Sequence, residues 1–129
     1  MRDLANNIGA VQAVAPAVLS ATNTSAAIDL QGFESAAVVI NTGAIVSSGD
    51  FTAKLQESDT TTSGDFADVA AADLVGTFPA SLEADSVVKV GYSGDKRFLR
   101  TVITKNGGTS IAAGAVIVKG RAHRCPVEA

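Results

Sequence analysis

Gly91-Tyr92-Ser93-Gly94-Asp95-Lys96-Arg97-Phe98-Leu99-Arg100-Thr101-Val102-Ile103-Thr104-Lys105 is the stretch whose reading decides the fold. It reads as the end of one strand, a tight turn at Ser93-Gly94-Asp95 and a long second strand. Gly and Asp serve turns, while Val, Ile, Thr and Phe favour extended backbone. Asn106-Gly107-Gly108 interrupts the pattern, and Ile111 to Arg121 resumes it as a further strand. The spacing predicts a β-meander that carries almost no residue types suited to catalysis.

The same signals recur upstream from Thr24. Ala26 to Leu30 is strand-like and stops at Gln31-Gly32, and Ala36 to Asn41 is nearly continuous in apolar residues, as expected of a strand buried on both faces. Phe51, Ala53 and Leu55 alternate with Thr52, Lys54 and Gln56, a half-buried strand. Asp59 to Asp65 is a polar loop. Phe66 to Phe78 fits either strand alternation or a helical turn before Pro79, and Val87 to Tyr92 completes the set. Seven or eight short strands with glycine-rich turns imply an all-β fold: an antiparallel β-sandwich or small barrel, jelly-roll-like. Ser-Gly-Asp occurs at 48–50, 63–65 and 93–95, where glycine is expected to supply a positive φ; the irregular spacing argues against a repeat architecture.

Residues 1–23 read differently. Leu4, Ile8, Val11 and Ala15 have helical spacing, with Asp3 as N-cap and Pro16 as stop, yet Gly9 and the β-branched residues favour extended backbone. Two readings stand: an N-terminal arm over 1–23 that docks elsewhere, with the sandwich domain spanning 24–129, or an edge strand of the same domain. As an arm, its anchors are Leu4, Ile8, Val11 and Val14. The segment Ile8 to Leu19 also imitates a secretion signal, but Asp3, Asn6, Asn7, Gln12 and Pro16 interrupt it, so no cleaved leader is expected.

Composition narrows the function. The 129 residues suit one domain whose core is built largely from Ala and Val, with no Trp, one Tyr and five Phe. Association would add the burial such a core lacks. A net charge of −3 argues against a general nucleic-acid binder, and no apolar run approaches the ~20 residues that span a bilayer. Cys125 has no partner for an internal disulfide.

Chemistry-bearing constellations are few. His123 is the one histidine, so a Ser-His-Asp triad would depend on it, and no nucleophile elbow is present. His123 and Cys125 fall short of the four ligands of structural zinc. The loop from Asp59 through Asp65 to Asp68 offers oxygen ligands without EF-hand spacing. Gly107-Gly108-Thr109-Ser110 lacks the lysine of a phosphate cradle and reads as a turn. Lys96, Arg97, Arg100, Lys119 and Arg121 form a candidate basic edge that could meet an acidic patch on a neighbour. No catalytic residue, cofactor or metal is expected.

Three elements, Leu55-Gln56-Glu57-Ser58-Asp59, Gly91 to Arg100, and Gly108 to Gly120, resemble a group of small structural proteins of tailed bacteriophages encoded near the major capsid gene, as does the opening Met1 to Ile8. The resemblance spans nearly the whole chain, through turns and strands. It implies a virion component of the phage head, made in the host cytoplasm, whose partner is the major capsid protein and which forms a homo-oligomer, a trimer by expectation. Direct nucleic-acid and membrane partners are not implied. Within virions the favoured role is a decoration or cement protein that bridges capsomers. A head–tail connector or tail protein is the alternative, and a carbohydrate- or receptor-binding module, stacking sugars on Tyr92 and Phe66, is a further one.

Overall fold

The computed structural model describes residues 4–122. Ten strands form in chain order: β1 (Gly9–Leu19), β2 (Asn23–Thr24), β3 (Ile28–Asp29), β4 (Phe33–Val46), β5 (Asp50–Ser58), β6 (Ala67–Asp68), β7 (Leu74–Val75), β8 (Val87–Tyr92), β9 (Phe98–Gly107) and β10 (Ser110–Ala122). One sheet has the order β1-β10-β4-β8-β7. The other runs β2-β9-β5-β6, with β3 also on β9. The pairings are antiparallel, and the two sheets form a sandwich that does not close into a barrel.

The pairing follows a simple rule. β1 joins β10, β2 joins β9, β4 joins β8 and β5 joins β6, as if one long hairpin had been wound around itself. This is jelly-roll order. It corrects the meander reading of the decisive stretch. β8, β9 and β10 follow one another in sequence but alternate between sheets, so Ser93-Gly94-Asp95 lies in a corner between sheets rather than a hairpin turn. A period of two tells which side chains point inward; it does not tell which strand lies alongside.

The core lies between the sheets. Val38 and Ile40 of β4, Val90 of β8, and Ile111 and Ile117 of β10 meet Phe51, Leu55, Leu99 and Ile103 from the other side. Two sheet-switching corners nest at one end. Ser47-Ser48-Gly49 links β4 to β5, and Gly108-Thr109 links β9 to β10. Positive φ in the first corner falls on Ser47 (51°) and Ser48 (58°), not on the glycine. Gly49 is needed for another reason: a Cβ there would strike the carbonyl oxygen of Ser110. Gly108 meets both demands, with φ of 72° and a backbone pressed against Ser48 and Gly49. The second Ser-Gly-Asp, Ser63–Asp65, forms a 3-10 turn.

Of the two readings of the N-terminal segment, the structure has the edge strand over Gly9–Leu19, in register with β10 from Gly9↔Lys119 to Leu19↔Ile111. The sheet therefore begins ahead of the boundary expected at 23/24. Register shifts between Gln12 and Val14 and between Val14 and Ala17 kink this strand beside Pro16, and an edge position tolerates a residue with no N–H to donate. The ambiguous stretch 66–78 resolves into β6, a 3-10 turn at Ala71–Asp73 and β7.

Candidate assembly surface

Cross-strand register assigns the side chains of the first sheet to its two faces, because directly paired residues point the same way. Inward lie Ile117 with Val38 and Ala115 with Ile40. Outward lie Val116 with Val39, Gly114 with Asn41 and Val118 with Ala37. β1 extends this outer face through Ala10, Gln12 and Val18, and β8 through Val87, Lys89 and Gly91. Val75 of β7 stands opposite Gly91. Val18 is 68% exposed, Val87 67% and Val116 38%. Among these outward positions Lys89 carries the one charge.

The surface is also shaped. A groove of about 740 Å³ runs along β1, β10 and β4, with Pro16, Val18, Val39 and Val116 on its walls. Gly114 floors it because the backbone of Pro16 comes so close that a Cβ there would lie 3.1 Å from its Cα. The outer face of the second sheet is chemically opposite. Lys54 pairs with Asp68 at 3.1 Å, Gln56 Nε2 donates to Asp68 at 2.9 Å, and Arg100 Nε donates to Gln56 Oε1 at 2.7 Å. Arg100 covers the Phe66 ring at 4.3 Å. The bond from Gln56, followed by that from Lys54, holds the Asp68 carboxyl below its ordinary range.

The basic edge does not form as one. Lys96 bonds Asp59 at 3.0 Å, in the corner between β8 and β9. Arg97 grips Asp29 with two bonds of 3.0 and 2.8 Å, adds Gln31 Oε1 at 2.8 Å, and lies over the Phe98 ring. Those hydrogen bonds are the main cause of a lowered Asp29 pKa. Lys119 covers the Phe33 ring at 4.6 Å and donates to the Asp29 carbonyl at 3.4 Å. Arg100 stands apart on the second sheet. Four of the five cations are therefore engaged within the chain. Arg121 continues the backbone of β10, and its side chain lies outside the described residues.

The arm anchors separate as well. Leu4 is 57% exposed at the start of a turn closed by the Asn7 N–H on its carbonyl at 3.0 Å. Ile8 is half-buried and Val11 packs against the core. Val14, at 3% exposed, is a core residue, because the bulged register turns it inward opposite Ala115.

Tyr92 is buried too, which removes it as a sugar-stacking platform. Its hydroxyl donates to Glu57 Oε1 at 2.6 Å and accepts the Lys96 N–H at 3.1 Å, pinning the Ser93–Arg97 corner. Burial, then the bond to Glu57, raises its pKa well above the ordinary phenol value. In the polar loop, Thr60 Oγ1 donates to Asp65 Oδ2 at 2.7 Å, and among the described residues no three His, Cys, Asp or Glu side chains gather with metal-ligand spacing. His123 and Cys125 lie outside the described residues.

Sequence reasoning did not single out the outer apolar face, although a signal was present. Ala36 to Asn41 reads as covered on both sides, and the fold covers one side more fully than the other, with Val38 and Ile40 buried while Asn41 is exposed.

No protein-family model matches the chain, and no curated protein sequence does. Among solved structures the chain is similar to the SPBc2 prophage-derived protein YomS, with a TM-score of 0.52 and 11% identity over 88% of this chain and 94% of that one. The VP2 subviral particle of infectious bursal disease virus gives a TM-score of 0.45 and 13% identity, the match covering 90% of this chain and 32% of the virus chain. PirA gives 0.44 and 13%, covering 94% of this chain and 99% of that chain. At these identities the likeness is one of fold.

Proposed function

We propose that this chain is a non-enzymatic structural protein of a phage virion, a decoration or cement protein that binds the outer surface of the head and bridges capsomers. The observation that carries the reading is the contrast between the two outer faces: a self-satisfied polar sheet on one side and a nearly uncharged apolar sheet on the other. A contiguous apolar patch of several hundred Å² on a small protein is the mark of an interaction surface. The resemblance of the turns and strands to phage structural proteins, and a fold shared along almost its full length with a prophage-derived protein, point the same way. Jelly rolls recur in viral capsids but serve lectins as well, so the fold alone does not select the role.

In this reading the apolar face builds the assembly. The exposed turn around Leu4, ahead of β1, clips the domain to the shell. Each contact is weak, and many copies linking neighbouring capsomers resist internal pressure together. The test is sedimentation of the purified protein with empty shells that lack it. Removal of residues 1–7 leaves β1 whole and is expected to lower occupancy at least tenfold with the domain still folded. Full occupancy by the truncated chain would remove the clip. A ring of six or twelve copies that ignores shells would replace decoration with the connector or tail role.

A further inference from the structure

We infer that the outer face of the β1-β10-β4-β8 sheet is a homotypic interface: two copies pack these faces together about a two-fold axis, forming a four-layered dimer. The inference rests on the reading of that face as an assembly surface and names its occupant as a second copy of this chain.

The first argument is area. Strands lie about 4.8 Å apart and rise about 3.3 Å per residue. The outward run from Ala10 to Val18, its partners on β10 and β4, and the shorter β8 therefore cover roughly 500 Å² in projection. Corrugation by the valines brings the accessible area nearer the ~800 Å² that each partner gives up in a standard interface. The projected area already approaches the upper end of the ~300–600 Å² of the largest apolar patch on a typical monomer.

The second argument is charge. A face whose outward positions carry one lysine and no carboxylate has nothing with which to select a charged partner, and it is complementary to itself. Lys89 sits on β8, so a two-fold axis parallel to the strands and between β10 and β4 sets β8 against the β1 of the other copy and keeps the two lysines apart. Permanent self-interfaces resemble a core cut in half, whereas surfaces that dock on a preformed partner keep a more polar character.

The third argument is shape. Ala10, Ala112 and Gly114 keep the β1–β10 floor low, while Val18, Val39 and Val116 stand above it. Ridges on one copy can enter the groove of the other, as in sheet-on-sheet packing at about 10 Å. A flat face that meets its own copy closes with two-fold symmetry. A trimer would need two different patches, so this geometry departs from the three-fold expectation drawn from the sequence.

The experiment is the solution mass of the full chain by light scattering and sedimentation equilibrium, with far-UV dichroism to confirm folding. The expected mass is twice that of the chain. Val116→Asp places a carboxylate against its own copy at the centre of the face, and it is expected to weaken association by about a hundredfold. Val18→Lys, on the edge strand and largely exposed, is expected to give a folded monomer even if Val116→Asp fails to fold. Thr24→Asp, on the polar sheet, is expected to remain dimeric. A wild-type monomer, a trimer or ring, or an oligomer indifferent to both face variants would overturn the inference. The two readings also fail separately. A dimer that ignores capsid shells keeps the interface and loses the decoration role, and a monomer that coats shells does the reverse.

Discussion

Tyr92 shows how one side chain shapes a corner of this fold. Its ring lies in the core, and its hydroxyl joins Glu57 of β5 to the Lys96 amide of the corner. A Cβ on Gly94 would lie 2.5 Å from that hydroxyl, so glycine at 94 leaves the room that the Tyr92 hydroxyl occupies. Tyr92→Phe is expected to cost about 1–3 kcal/mol in urea unfolding, because a part-buried bond to the Glu57 carboxylate is lost and the Lys96 N–H loses its acceptor. The pH profile adds a second readout. The folded-state pKa is raised, so the contribution of the phenol is intact below its unfolded value near pH 10 and falls as pH rises above it. The phenylalanine variant is expected to show a shallower alkaline decline. Thr101 behaves in the opposite way: fully buried, its Oγ1 has no hydrogen-bond partner among the described residues. Thr101→Val keeps the shape and removes the stranded hydroxyl, and calorimetry is expected to find it neutral or up to about 1 kcal/mol more stable.

At the scale of elements, the nested corners and the edge strand carry the argument. Gly108 combines a positive φ with backbone contact to Ser48 and Gly49, and the two corners set where β4 passes to β5 and β9 to β10. Gly108→Ala adds strain and a collision together, and a loss of about 2 kcal/mol or more is expected, measured as a lowered denaturant midpoint. An unchanged midpoint would mean that the corners are not tightly nested. β1 is long for an edge strand, and its bulges and Pro16 blunt the free side against further strand addition. Val14 ties β1 to the core. Removal of residues 1–15 is therefore expected to abolish the cooperative unfolding transition, whereas removal of 1–7 is expected to preserve it. A folded 16–129 fragment would show that β1 is dispensable to the sandwich and restore the arm reading.

For the molecule as a whole, the two sheets divide the labour. One turns its outer charges inward on themselves through Lys54, Asp68, Gln56 and Arg100, while the other leaves valine, alanine and glycine facing out. Association through such a face depends on burial, which salt does not screen, so the dimer dissociation constant is expected to stay level or fall between low and high ionic strength. A tenfold weakening with added salt would return the interface to charges such as Lys96 and Arg97. Those cations already have acceptors in the chain, which is the structural reason to expect the apolar outcome.

The sequence by itself determined the class of fold and much of its punctuation. Alternation at a period of two marks β5, runs rich in Val, Ile, Thr and Phe mark β8, β9 and β10, and glycine marks the Gly107-Gly108 turn, because these are local preferences of backbone and side chain. Only the tertiary structure decided that successive strands cross between sheets, that Gly9–Leu19 belongs to the sandwich, and that Val14 faces the core while Val18 faces out. Pairing joins residues a hundred positions apart, as in Val14↔Ala115, and one extra residue at a bulge is enough to reverse which side is buried. The assembly face stayed hidden for the same reason. The apolar runs of β4 and β10 announce that both sides want cover, but which side the chain covers and which it leaves for another molecule is settled only when the two sheets meet.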